Sequence, residues 1–368
     1  MLRILNIVGA RPNFIKIAPI LREMSRYPDR IQTLLVNTGQ HYDLEMVDYF
    51  FQDLDIPKPG INLGVGSGSH AQQTARIMTS FEHVCLEYSP HLILVVGDVN
   101  STLACALVAS KLGVKVAHVE SGLRSFDRTM PEEINREVTD LLADFLFTTS
   151  EDANINLLNM GIPGEKIFFV GNVMIDSLNG HLEWSNRRSV LRDLDVEDSE
   201  YALITLHRPS NVDNSIVFDR LLDAFDYIQK RVKLIFPAHP RTLKNIEKFK
   251  LDDKVRKMEN LKIISPLGYL DFLALMNNSK FVLTDSGGLQ EETTVLGVPC
   301  LTLRDNTERP ITISLGTNIL VGSDTKKIIA ESDKILDGKG KKGQIPPLWD
   351  GKASERIVKV LLDSLEEL

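Results

Sequence analysis

Short apolar runs that stop at a glycine, a carboxylate or a histidine recur through this chain, each followed by a stretch of helical periodicity. The first is "ILNIVGA" (Ile4–Ala10), trailed by Phe14, Ile17, Leu21 and Met24 at steps of three and four. Continuous apolar runs of this length suit parallel strands covered on both faces by helices. The pattern continues at Thr33–Gly39, His91–Asp98, Val114–Ser121, Phe145–Ser150 and Ile167–Asn172, with a helix expected near Leu44–Phe51. It restarts after Gly171–Asp176, at Tyr201–His207, Lys233–His239, Leu261–Pro266, Phe281–Ser286 and Val298–Arg304. Alternating strand and helix predicts an α/β protein, and the doubled pattern predicts two Rossmann-like, doubly wound parallel-sheet domains. We place them at residues 1–172 and 173–350, with a hinge near Gly171–Ser177. A last helix near Lys352–Leu365 falls in a terminal segment, 351–368. Ligands bind at the carboxyl ends of such strands, so the expected site is a cleft shared by the two domains.

Bulk composition narrows the class. A chain of 368 residues is ample for two cores. Its net charge of −8 argues against a general nucleic-acid binder, whose affinity rests on phosphate neutralisation. Cys85, Cys105 and Cys300 form no CxxC pair and read as free thiols in a reducing compartment. With neither a signal peptide nor a membrane span in the pattern, the expected location is cytoplasmic.

The chemistry-bearing residues fall at the strand ends. Asp98 and Glu120 close two consecutive strands and should project at the same rim. They read either as an acid/base pair, with burial and mutual repulsion raising one pKa, or as helix caps. In "TMPEEINREVTDLLADF" (Thr129–Phe145), Glu132 is either a third such carboxylate or the partner of Thr129 in a capping box, while Ile134, Val138, Leu141, Leu142 and Phe145 form the expected apolar face. Arg11 and Lys16 flank a turn at a helix start, which suits an anion. The surrounding "GARPNFIK" lacks the GxGxxG fingerprint, so a nicotinamide cofactor is not expected. The "GVGSGSH" loop (Gly64–His70) has alternating glycines without strand-to-helix context and reads as a flexible segment over the cleft.

In the second half, "TDSGGLQEETTVLGVP" (Thr284–Pro299) ends a strand in Asp285 and turns through Ser286, Gly287 and Gly288 into a helix whose free N–H groups suit a phosphate. Glu291 and Glu292 in its expected first turn complement the helix dipole or accept a sugar diol. Arg304 and Arg309 follow at the next strand end. His207 and His239 stand beside Arg208 and near Arg241 as phosphate contacts, general acids or hydrogen-bonded rim histidines. No ligand spacing accompanies them, so no metal is expected. A nucleoside diphosphate held by one half while its sugar is worked on by the other fits this division.

The segments "GARPNFIK", "VVGDVNST", "AHVESGLRS", "PEEINR", "TLHRPSN", "TDSGGLQEE" and "RDNTERP", in this order over about Ile4 to Gly322, resemble the non-hydrolysing UDP-N-acetylglucosamine 2-epimerases. The resemblance implies a GT-B fold, with the C-terminal helix packing back on the first domain. It implies a homodimer that interconverts UDP-N-acetylglucosamine and UDP-N-acetylmannosamine with no cofactor and no metal. By position, Asp98, Glu120 and Glu132 would be catalytic carboxylates, and His207 catalytic or phosphate-stabilising. Arg11, Lys16, Ser286, Gly287, Gly288, Glu292 and Arg309 would bind the UDP-sugar, with Phe272 against uracil. Leu267 stands where some relatives place a base-contacting Gln. Asp43, in "TGQHYDLEM" (Thr38–Met46), departs from a segment that binds a second, activating substrate molecule in bacterial relatives.

The implied reaction asks for several carboxylates. The C2 proton becomes acidic as the anomeric C–O bond breaks, and epimerisation needs acid/base groups on both faces of C2. Departing UDP needs positive charge and free N–H groups. A GT-B glycosyltransferase would share the fold and donor but normally needs one base. A hydrolysing epimerase would release free N-acetylmannosamine, and a non-catalytic sensor would bind UDP without turnover. Relatives acting on 2,3-diacetamido sugars leave the substitution at C3 open.

Overall fold

The computed structural model describes residues 1–39 and 57–365. The helix expected near Leu44–Phe51, and Asp43 with most of its segment, lie outside them. The chain divides into two compact units, 1–180 with 347–368, and 181–346.

The first unit is a parallel sheet built on β1 (Leu2–Val8), β2 (Ile31–Asn37), β3 (Ile61–Asn62), β4 (Leu92–Val96), β5 (Lys115–Ser121), β6 (Phe145–Thr148) and β7 (Ile167–Phe169). Their order is β3-β2-β1-β4-β5-β6-β7, the reversal beside β1 being that of a dinucleotide-binding fold. β4 is buried along its whole length, as its unbroken "LILVV" requires for a central strand. Its side chains join Leu5, Ile7, Phe81, Cys105 and Leu146 in a core between sheet and helices.

The second unit repeats the design with β8 (Tyr201–Thr205), β9 (Lys233–Pro237), β10 (Leu261–Ile264), β11 (Phe281–Thr284), β12 (Cys300–Thr302) and β13 (Asn318–Leu320). The order β10-β9-β8-β11-β12-β13 is again doubly wound and parallel. Phe218, Phe225, Phe236 and Phe281 fill its core. Two such units make this a GT-B fold. Neither β3 nor β13 is predicted from the sequence, and β3, at two residues, is too short to show as an apolar run. The existence of β3 also corrects the reading of "GVGSGSH". That loop does lead from a strand to a helix, and Ser69 caps the helix His70–Tyr88 by accepting from the Gln72 N–H.

The chain's last helix, Ala353–Leu365, belongs to the first unit and packs on the helix Arg11–Met24. Asp176 caps it from far back in sequence, accepting from the N–H groups of Ala353 and Ser354 and from the Ser354 hydroxyl at 3.1, 2.7 and 2.6 Å. Trp349 donates its indole N–H to the Thr149 carbonyl at 2.8 Å. Among the described residues no helix is long and apolar enough to cross a membrane. Cys85, Cys105 and Cys300 are free and buried.

Gly171 holds this attachment in place. Its φ is +88°, and a Cβ there would stand 2.1 Å from the Leu348 carbonyl oxygen. Gly161 has a similar φ, +81°, with nothing within 4 Å. Gly161→Ala should therefore cost only the left-handed backbone strain, about 1 kcal/mol. Gly171→Ala must also displace backbone, and should cost roughly 3 kcal/mol or more. Urea unfolding of the two variants measures the difference; equal losses would show that the Leu348 segment is not held where described.

Candidate active site

In the first unit the acids stand at the ends of the adjacent strands β4 and β5. Asp98 follows β4 by two residues, after Gly97 with φ +71°. It is not a helix cap: the N-cap of the helix Asn100–Lys111 is Val99, with no side-chain cap bond. Instead Asp98 Oδ2 accepts from Nε and Nη2 of Arg136 at 3.0 and 2.8 Å. Arg136 is itself buried and also pairs with the fully buried Glu133.

Glu120 occupies a bulge, because Val119 and Ser121 face the neighbouring β6 residues Phe147 and Thr148 and leave Glu120 unmatched. Its φ is +68°, in the left-handed region that few non-glycine residues adopt. Backbone held there without a glycine is a mark of function, because the strain needs a compensating reason. Glu120 is buried and ion-paired with Lys16, from the first helix. Both charges lie beside Gly97, where a Cβ would be 3.4 Å from Lys16 Nζ and 3.5 Å from Glu120 Oε2. Each acid is thus paired with a cation, Asp98 with Arg136 and Glu120 with Lys16. Asn13 ties the region together, accepting from the Gly9 and Ala10 N–H groups and donating to the Val96 carbonyl.

Glu132 is half-buried on the helix Pro131–Leu142, one turn before Arg136. The capping box expected from Thr129 is absent: the N-cap is Met130, and Thr129 bonds Asp127 instead. The expected apolar face of this helix holds only in part: Leu142 packs against the core and Phe145, just beyond the helix, is buried. Its buried residues are Glu133, Asn135, Arg136, Thr139 and Asp140, whereas Ile134 and Leu141 are exposed by 41% and 58%. Burying so many polar groups is tolerable because they bond the carboxylate-bearing turns: Glu133 accepts from the Ser125 and Phe126 N–H groups, and Asn135 donates to the Asp98 carbonyl. Arg11 is the first residue of its helix.

In the second unit, His207 follows β8 and Asp285 follows β11, its neighbour in the sheet. Asp285 is fully buried and accepts from the N–H groups of His207 and Arg208 and from Asn211 Nδ2, while His207 Nδ1 lies 2.8 Å away. Burial alone would raise this carboxyl, but the His207 contacts and the remaining donors outweigh it and hold it low. The His207 ring is half exposed, with one nitrogen fixed by Asp285. His239 caps the helix Pro240–Lys248 by accepting from the Arg241 N–H. Desolvation, then His207, then Arg241 keep its imidazole below its ordinary value.

Ser286 is the N-cap of the helix Gly287–Leu296, with no side-chain cap bond. Gly287 and Gly288 open that helix, and a Cβ on Gly287 would meet Arg309 Nη1 and Glu308 Oε1 at 2.6 Å. Arg309 is buried between Glu291, at 2.9 Å, and Glu308, which also holds Arg304. The two glutamates expected in the helix's first turn lie beyond it, and both are buried. Glu292 accepts from the Tyr269 hydroxyl at 2.9 Å. Phe272 is half-buried on the helix Tyr269–Asn277, and Leu267 is half-buried just before that helix.

A GT-B protein with a phosphate-type turn in one unit and ion-paired carboxylates at strand ends in the other defines a nucleotide-sugar enzyme. The sequence profile described as UDP-N-acetylglucosamine 2-epimerase matches residues 22–362. A Methanocaldococcus jannaschii UDP-N-acetylglucosamine 2-epimerase is 45% identical over 96% of this chain and 97% of its own. A UDP-2,3-diacetamido-2,3-dideoxy-D-glucuronate 2-epimerase of Pseudomonas aeruginosa is 41% identical over 98% and 99%. A crystal structure of the M. jannaschii UDP-GlcNAc 2-epimerase in complex with UDP-GlcNAc and UDP superposes with a TM-score of 0.90, at 44% identity over 98% of this chain and 99% of that one. The chain belongs to the UDP-N-acetylglucosamine 2-epimerase family.

Arg136 and Tyr269 matter to this geometry, and the sequence singles out neither. Glu292 is the most displaced of the predicted ones. Burial, and to a smaller extent Glu291, push its carboxyl up to about 7, against the lowering effect of Tyr269. A raised value means stability that is complete below about 4.5 and is lost as pH rises through about 7. Glu292→Gln should therefore flatten the fall in melting temperature across that window. An unchanged pH slope in the variant would show that Glu292 ionises like an exposed carboxyl.

Proposed function

We propose that this protein interconverts UDP-N-acetylglucosamine and UDP-N-acetylmannosamine by a non-hydrolysing route. The observation that carries the reading is the pair of strand-end carboxylates, each held by its own cation, in a member of this family. Asp98, Glu120 and Glu132 serve as the acid/base and charge-stabilising groups. One carboxylate takes the C2 proton as the C1–O bond to UDP breaks, and its electrons leave with UDP. The C–H electrons form the C1=C2 bond of 2-acetamidoglucal. A proton then adds to the opposite face of C2, and a UDP phosphate oxygen returns to C1. No bond to water forms, so no free sugar is released.

The Ser286–Gly288 turn, Arg309 and His207 receive the charge on departing UDP. Asp285 bonded to one His207 nitrogen leaves the other to face the ligand, as a positioned acid requires. Arg11 and Lys16 bind the UDP-sugar, with Lys16 shared with Glu120, and His239 adds a phosphate contact. Glu292 takes the ribose diol and Phe272 the uracil. We further propose that the protein acts as a cytoplasmic homodimer.

Incubation with UDP-N-acetylglucosamine in D2O, followed at C2 by NMR, tests the route. Epimer carrying deuterium at C2, with UDP retained, is the expected product. Free N-acetylmannosamine would replace the non-hydrolysing reading with a hydrolysing one, and the absence of exchange would overturn epimerisation. The P. aeruginosa relative makes the UDP-2,3-diacetamido sugar acid the comparison substrate. Asp98→Asn and Glu132→Gln should each lower turnover by about 10²–10⁴-fold, and near-normal rates would remove that residue from the chemistry.

A further inference from the structure

His118 is fully buried on β5, two residues before Glu120, and neither of its ring nitrogens is used by the chemistry above. Nε2 lies 2.8 Å from the Gly97 carbonyl oxygen, and Nδ1 lies 2.7 Å from Asp140 Oδ1. A carbonyl oxygen can only accept, so Nε2 carries a hydrogen. Asp140 is also fully buried, and its other oxygen accepts from Arg124 Nη2 at 2.5 Å and from the Gly122 N–H at 3.1 Å. Arg124 is always charged, and its buried ion pair with that oxygen keeps the carboxyl ionised. An ionised carboxylate also only accepts, so Nδ1 carries a hydrogen as well. A neutral ring would set a lone pair against one of its two acceptors.

The contacts lie on both carboxylate turns. Gly97 precedes Asp98 with φ +71°, and Gly122 follows Glu120 with φ +78°. The other charges beside Gly97 are Lys16 and Glu120, which pair with each other.

We propose that His118 is a buried imidazolium and a positioning residue, whose two N–H groups join the Gly97–Asp98 turn to a buried anion, Asp140, which itself accepts from the Gly122 N–H of the turn after Glu120. Its charge acts by fixing where the two acids stand, and it touches no reacting atom. The charge assignment stands on geometry alone, whereas its effect on turnover rests on the epimerase reading. A shift of about 1 Å in a reacting group is worth about 10² in rate. His118→Gln keeps one donor and loses the other, and should lower kcat by about that factor with KM for the UDP-sugar changed less than about twofold.

Nitrogen-15 NMR of the wild-type imidazole tests the charge directly, whether or not the variant folds. Both ring nitrogens should read as protonated. A neutral tautomer overturns the proposal, and so does an unchanged kcat in a folded His118→Gln. A doubly protonated ring in a wild-type protein without turnover would instead overturn the epimerase reading and leave the buried charge standing.

Discussion

Arg136 is the interaction on which the first unit's site depends. Its guanidinium joins Asp98, at the end of β4, to Glu133, whose other bonds hold the Ser125–Phe126 backbone. Buried charge is costly unless paired, and a guanidinium offers five donors in a fixed fork that can serve two carboxylates at once. Remove the fork and both acids lose the cation that pairs with them. The helix Pro131–Leu142 is therefore held largely by its charges, while Ile134 and Leu141 face outward.

The second unit solves the same problem with a different distribution of charge. Asp285 gathers four donors from the segment after β8, so that a buried carboxylate serves as the anchor for an exposed histidine. Arg309 pairs with both Glu291 and Glu308 beside the Gly287 turn, and Glu308 also holds Arg304. In both units the polar network organises the strand ends, and the apolar core beneath needs only to keep the strands parallel.

Much of this was legible in the sequence. Central strands such as "LILVV" are apolar throughout, and no other element of five residues accounts for such a run between a turn and a Gly. Asp98 and Glu120 stood out because they end such runs. What stayed hidden depends on pairing across the chain. Nothing in "PEEINREV" says that Arg136 points to a strand end 38 residues earlier, because helical periodicity sorts residues by polarity and not by partner. The same rule placed Ile134 and Leu141 inside. Helix length misled at Glu291 and Glu292: the helix starts at Gly287, which moves both past the first turn and into the interior. β3, of two residues, is shorter than a hydrophobic pattern can register.

The bulge at Glu120 reaches beyond the carboxylate it presents. A strand alternates its faces residue by residue, and the unmatched residue resets that alternation between Val119 and Ser121. The chain's length is thus fixed at this point to a single residue. Losing one position would return the strand to a regular ladder, with Ser121 still opposite Thr148, and leave no place for the acid. Loops elsewhere in the fold can lengthen or shorten without such a penalty. Here the arithmetic of the backbone itself, one residue more than its neighbour, is what aims the acid.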